Sequence, residues 1–329
     1  MPLVPSNYRA PMGLRGGHVS TIFPTLFRRV PERVTQRERL ELADGDFLDL
    51  DWSCLGNNRL AIIGHGLEGD SQAKYIKGMA RALHKRGWDT LAWNCRGCSG
   101  EPNRLLRSYH SGVSDDLGLV VDHALTKDYR EISLTGFSLG GNIVLKYLGE
   151  QGQDLPPSVK SAVAFSVSCD LTSSSLRLGE WQNKIYMSRF MTGLKAKVLV
   201  KNQQFPGKLS LEHLKKVKTF AGFDDRFTAP LNGFRDARDY WERASSKPHL
   251  SNISIPTLLV NALNDPFLPE ACFPEEIAAN SEHLFLETPD HGGHVGFVSP
   301  GEEYWSETRC CEFFEENSNL ETRPPEAKR

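Results

Sequence analysis

Ser138 stands at the centre of Gly136-Phe137-Ser138-Leu139-Gly140, a G-x-S-x-G run. The pattern is short and recurs by chance, so its setting decides what it means. Ile132-Ser133-Leu134-Thr135 before it reads as a buried strand. Leu139 to Leu148 after it has the apolar spacing of a helix, which Gly149 stops. A serine at a sharp strand-to-helix reversal is held in a strained conformation with its hydroxyl above the sheet, and flanking glycines let strand and helix approach. Such a hydroxyl attacks a carbonyl carbon once a base takes its proton. The plainer reading is a tight turn that happens to contain a serine.

A serine nucleophile needs a base, and the base needs an orienting acid. On sheets carrying this turn the chain order is serine, acid, histidine. Asp265 lies in Asn264-Asp265-Pro266, directly after the apolar run Ile255–Val260 and so in a loop at the carboxyl end of a strand. Open parallel sheets place their sites there. A turn-forming Asp before Pro is the structural alternative. Asp290 and Asp224 are weaker candidates, the first too near the histidines and the second inside a helical insertion. His291-Gly292-Gly293-His294 follows the last expected strand and supplies the base. His294 is preferred, because two glycines before it let the ring swing back over Ser138; His291 is the runner-up. A metal reading of the pair lacks a third ligand and any HExxH-like spacing.

Acyl transfer also needs donors where the carbonyl oxygen gains charge. The N–H after the nucleophile, that of Leu139, is one. The other is expected in Gly64-His65-Gly66-Leu67-Glu68-Gly69, immediately after the apolar run Leu60–Ile63, with the Leu67 N–H as donor. The loop has no P-loop lysine and is not read as a phosphate cradle.

The elements that must hold these residues follow from periodicity. Arg37–Leu42 and Phe47–Trp52 read as a hairpin around Asp44-Gly45-Asp46. Buried strands are then expected at Leu60–Ile63, Thr90–Trp93, Ile132–Thr135, Ala162–Phe165, Ile255–Val260 and Leu284–Leu286. Helices are expected at Gln72–Arg86, Val113–Leu125, Leu139–Leu148 and Glu302–Phe314. This alternation makes parallel βαβ units. Residues 171–250 break the rhythm: they are polar and helix-leaning, and read as an inserted cap over a core of residues 1–170 and 251–316. Trp181, Tyr186 and Phe190 in that insertion are candidates for shaping a pocket. Residues 317–329, polar with two prolines, read as a flexible tail.

Composition excludes several classes. The 329 residues are 39% hydrophobic and 24% charged, with net charge −2 and a pI near 6.6. No basic stripe suggests a nucleic-acid partner. No apolar run approaches the roughly 18 residues that cross a bilayer, and Met1-Pro2-Leu3-Val4-Pro5 does not open a signal peptide. Seven cysteines, an odd count in a chain this large, argue against a disulfide framework and for the cytoplasm. Cys95-Arg96-Gly97-Cys98 lacks the second pair of a zinc site, and is read as a strand-end loop lining the pocket. Cys310-Cys311 reads as helix packing. His18, His65, His84, His110 and His123 read as structural, with His65 bordering the donor loop. No cofactor or metal is expected.

Several segments together resemble the YheT-like branch of the α/β hydrolases. They are Pro11-Met12-Gly13-Leu14-Arg15-Gly16-Gly17-His18, His65-Gly66-Leu67-Glu68-Gly69, Asn94-Cys95-Arg96-Gly97-Cys98-Ser99-Gly100 and Gly136-Phe137-Ser138-Leu139-Gly140-Gly141-Asn142. Asn264-Asp265-Pro266 and Gly293-His294-Val295-Gly296-Phe297 also fit, so the resemblance spans nearly the whole chain. It implies the α/β-hydrolase fold, a mostly parallel central sheet flanked by helices with a helical cap insertion. It implies a charge-relay triad of Ser138, Asp265 and His294, and hydrolysis of carboxylic esters. Eukaryotic relatives also transfer acyl groups to alcohols and often carry an N-terminal membrane anchor; no such stretch precedes Pro11 here. The expected partner is a small-molecule ester, which includes acyl lipids. The rival readings are an acyltransferase with an alcohol or thiol acceptor, with which Gly140-Gly141 is compatible, and a non-catalytic binding protein on the same fold.

Overall fold

In the computed structural model, residues 2–32 and 35–318 are described, so of the expected tail 317–329 residues 319–329 lie outside the described residues. The described strands are β1 (Leu3–Val4), β2 (Gln36–Glu41), β3 (Phe47–Ser53), β4 (Arg59–Gly64), β5 (Asp89–Trp93), β6 (Glu131–Phe137), β7 (Val159–Phe165), β8 (Thr257–Val260) and β9 (Leu284–Glu287). They form one sheet in the order β1-β9-β8-β7-β6-β4-β5-β3-β2. β2 pairs with β3, and β3 with β5, antiparallel; the remaining pairs are parallel.

The helices are α1 (Gly17–Phe27), α2 (Lys74–Lys85), α3 (Ser114–Leu125), α4 (Leu139–Gln151), α5 (Leu171–Leu178), α6 (Lys184–Gln204), the single turns α7 (Phe220–Phe223) and α8 (Ala229–Leu231), then α9 (Ala237–Ala244), α10 (Glu275–Ala279) and α11 (Trp305–Glu316). The continuous apolar strands alternate between two covered faces. Ile62, Leu134 and Ala164 point into one cluster with α3 and α4, while Ile63, Phe137 and Phe165 point into the other with α2 and α11. α2 is amphipathic and buries Ile76, Met79 and Leu83, each contributing roughly 1.5–3 kcal/mol. α4 runs through the middle of the molecule, with every residue from Leu139 to Gly149 buried. The segment between β7 and β8 is helical and packs its own apolar cluster, including Met191, Phe220, Phe227 and Trp241. A π-helical turn at Asp224–Thr228 interrupts it.

The strand β8 and the helix α11 start later than periodicity suggests. β8 begins at Thr257 and not at Ile255, because Pro256 has no N–H to give the ladder; its carbonyl instead accepts from Ala162. α11 begins at Trp305 because Glu307 reaches back and accepts the Tyr304 N–H. α1 is an element that periodicity misses. It opens on glycine, contains Pro24 and buries only Ser20. β1 is two residues long and carries no pattern of its own.

Candidate active site

Ser138 links β6 to α4 with φ of +54°, a left-handed conformation that a non-glycine residue holds only when its surroundings impose it. Its N–H donates to the Phe165 carbonyl at 2.8 Å, and its own carbonyl accepts from Asn142 at 3.0 Å. The glycines of the motif are explained by contact. A Cβ on Gly136 would lie 2.4 Å from the Gly140 carbonyl oxygen, and one on Gly140 would lie 2.5 Å from that of Gly64.

The structure brings Ser138, His294 and Asp265 into one line. His294 Nε2 is 2.9 Å from Ser138 Oγ, and Nδ1 is 2.8 Å from Asp265 Oδ2. The arrangement that satisfies both contacts has the Nδ1–H donating to the carboxylate and Nε2 accepting from the serine hydroxyl. Asp265 is buried, and its second oxygen accepts the Phe267 N–H at 2.9 Å. The Phe267 ring lies against the imidazole with centroids 4.1 Å apart. Among the described residues His291 makes no hydrogen bond to this line, and its buried Nδ1 has no partner. Asp290 is exposed. Asp224 borders the cavity beside Ser138 but makes no hydrogen bond to His294; it accepts from Thr228 Oγ1 at 2.5 Å and Trp241 Nε1 at 2.8 Å. Burial raises the Asp224 carboxyl to about 6.

The amides on either side of Leu67 are occupied. Gly66 N–H donates to Tyr75 OH at 2.9 Å, and Glu68 N–H to Tyr109 OH at 3.1 Å. Among the described residues the N–H groups of Leu67 and Leu139 have no partner, and both residues border the same cavity as Ser138. That cavity measures about 90 Å³. His65 is buried with its ring bridging two strand ends: Nδ1–H donates to the Gly66 carbonyl at 2.8 Å, and Nε2 accepts the Cys95 N–H at 3.1 Å. Burial pushes its imidazole down to about 4, which keeps it neutral.

Three expectations need correction or completion. Trp181 is 75% exposed and does not border the cavity; Tyr186 instead stacks on His18 and donates or accepts at its Nδ1, 3.1 Å away. Phe190 alone of the three lines the cavity. The Cys95–Cys98 loop does not reach Ser138 either: both thiols are buried away from it, while Arg96 and Gly97 border a separate apolar cavity of about 260 Å³. All seven cysteines are free thiols. Sequence reasoning missed the supporting role of residues 14–21. Thr21 Oγ1 accepts the His294 N–H at 2.8 Å, and Asn264 bridges the Arg15 carbonyl to the Gly293 N–H. A Cβ on Gly17 would sit 2.0 Å from the Asn264 carbonyl oxygen, and one on Gly293 2.5 Å from that of Gly17. The Gly16-Gly17 pair was the available signal, since adjacent glycines mark close backbone approach.

The chain belongs to the α/β-hydrolase family: the family model for the alpha/beta hydrolase fold matches residues 62–300. Its place within that family is the YheT-like branch. YheT of Escherichia coli is 37% identical over 297 residues, spanning 87% of this chain and 85% of YheT. Phospholipase ABHD3 of Homo sapiens is 28% identical, over 90% of this chain and 75% of its own. Among solved structures, an esterase of Pyrococcus furiosus superposes with a TM-score of 0.58 at 17% identity, over 88% of this chain and 98% of that one.

Proposed function

We propose that this chain is a serine hydrolase that cleaves carboxylic esters through an acyl-enzyme intermediate. The observation that carries the reading is the unbroken hydrogen-bonded line from Ser138 through His294 to Asp265. His294 Nε2 takes the proton from Ser138 as Oγ bonds to the ester carbonyl carbon. The carbonyl electron pair moves onto oxygen, where the N–H groups of Leu67 and Leu139 bind it. Re-formation of the carbonyl breaks the bond to the leaving alcohol, whose oxygen takes the proton from His294. Asp265 holds Nδ1–H in place and stabilises the imidazolium. Water then repeats the sequence with His294 as base, releasing the acid and restoring Ser138.

The names of the relatives support this class of substrate: that of Escherichia coli is named as an esterase, that of Homo sapiens as a phospholipase and one of Saccharomyces cerevisiae as a monoacylglycerol lipase. The apolar walls beside Ser138, among them Leu171, Leu178, Phe190, Leu194 and Phe267, support an acyl group as the part bound there. We assign residues 171–250 as a cap that completes that pocket. Seven free thiols support a reducing compartment, the cytoplasm. Among the described residues no helix is long and apolar enough to cross a membrane.

A chain-length series of p-nitrophenyl esters with wild type and Ser138→Ala tests the reading. Loss of the nucleophile is expected to lower kcat by on the order of 10⁴–10⁶. A fluorophosphonate probe is expected to label Ser138 in the wild type. Equal turnover by the two proteins would sink the assignment. An alcohol added to the same assay reads out transfer, since a transferase would convert the acyl group to a new ester in place of the free acid.

A further inference from the structure

Glu68 follows Leu67 in the loop after β4, and its backbone has φ of +55°, which glycine adopts without strain and glutamate does not. Its side chain leaves the loop and enters the face of α6. There the carboxylate accepts from Lys197 Nζ at 2.9 Å and from Tyr109 OH at 2.5 Å. The same phenol oxygen accepts the Glu68 N–H, so Tyr109 clamps both the backbone and the side chain of this residue. Lys197 is held in turn by Cys98 Sγ at 3.0 Å and lies over the Tyr109 ring, 4.6 Å from its centroid. One turn before Lys197, α6 carries Gly193. Short of proline, glycine is the poorest residue for a helix interior. Its reason is here: a Cβ at Gly193 would lie 2.3 Å from Glu68 Oε2. Helix α6 therefore has a notch and a cation one turn apart, and both meet one carboxylate of the loop below.

We propose that Glu68 is a positioning residue that ties the Leu67 amide to α6, so that this N–H faces the oxyanion only while α6 is docked by Lys197 and Gly193. The proposal rests on the reading of Ser138 as nucleophile and of Leu67 as an oxyanion donor. The logic is local. Gly66 and Glu68 each give their N–H to a tyrosine, Tyr75 and Tyr109, and these two bonds orient the peptide groups between them. The Tyr75 bond comes from the core. The Tyr109 bond is shared with the carboxylate that α6 holds, so movement of α6 pulls on one of the two anchors. Substrate entry that displaces α6 would thus leave the oxyanion donor out of place until the helix returns.

Steady-state kinetics on a short p-nitrophenyl ester test this with Lys197→Met, Gly193→Ala and Glu68→Gln. The first two are expected to lower kcat by about 10- to 100-fold with KM changed less than about threefold, a fraction of what losing a whole oxyanion donor does. Glu68→Gln falls less, because its amide oxygen still accepts from Tyr109. The Lys197→Met, Glu68→Gln double variant is expected to be no slower than Lys197→Met alone within about twofold, since the lysine acts through the glutamate. Affinity for phenylboronic acid, whose serine adduct is tetrahedral, is expected to fall in step with kcat. Wild-type kcat in Lys197→Met, a loss confined to KM, or multiplicative effects in the double variant would overturn the proposal. Lys197 is 35% exposed and its replacement decides the matter if Gly193→Ala does not fold. Equal ester turnover by wild type and Ser138→Ala would instead overturn the nucleophile reading, independently of the α6 variants.

Discussion

Asp265 touches His294 with one oxygen and the Phe267 amide with the other, so it has no freedom to leave the ring. Replacing it by Asn puts a donor or a flipped amide opposite Nδ1 and favours the wrong tautomer. Asp265→Asn is expected to lower kcat by roughly 10⁴ with little change in fold; near-UV circular dichroism and ester turnover check both parts. Two buried groups set opposite pH trends in stability. His65 has its pKa lowered from 6.5 to about 4 by burial. The unfolded chain binds more protons in that window, so its contribution is present above about pH 6.5 and is lost as pH falls towards about 4. Asp224 has its pKa raised from 3.8 to about 6, chiefly by burial. The folded chain binds more protons there, so its contribution is present at low pH and is lost as pH rises through about 6. Thermal midpoints measured from about pH 4 to about pH 7 are expected to shift in favour of Asp224→Asn, relative to wild type, as pH rises. For His65→Gln the shift is expected in the variant's favour as pH falls, and curves parallel to wild type would refute either assignment.

At the scale of the element, the turn between β6 and α4 is held by close packing of backbone on backbone. Gly136, Gly140 and the Gly64 carbonyl occupy space that a single methyl would fill. Gly136→Ala is therefore expected to destabilise by about 1–3 kcal/mol and to displace Ser138. A fall in the thermal midpoint together with slower fluorophosphonate labelling checks this. The expected strand–serine–helix turn needed only local pattern, so it was legible. The role of α1 was not, because its support of the His294 loop is a contact between residues more than 270 positions apart.

Across the whole molecule, Arg96 joins three parts of the chain. It reaches Asp116 on α3 with two nitrogens, and Asp44 and Asp46 of the β2–β3 turn with a third. Arg96, Asp46 and Asp116 are all buried. Removing the cation leaves buried carboxylates without their partner, and Arg96→Met is expected to lower stability by about 3–5 kcal/mol. Urea unfolding checks this; a loss within error of zero would show that the carboxylates find other partners. The network also ties the β2–β3 turn to α3, adding to the β3–β5 ladder that holds the antiparallel pair at the sheet edge.

The sequence by itself determined the alternation of strands and helices and the hairpin at its start, and it pointed to Ser138, Asp265 and His294 in that order. These depend on side-chain periodicity, turn residues and chain direction, all of which are local. Tertiary structure decided which of two neighbouring histidines meets Ser138, because that depends on the fold of a loop with left-handed residues at Val295 and Phe297. It also decided that Phe190 and not Trp181 faces the cavity, and that Gly193 in a helix answers to Glu68 in a loop 125 positions before it. Those pairings come from packing between distant segments, on which neighbouring residues impose no pattern. Ser138 is the clearest case of both: its motif is written locally, while its partners are set by the fold.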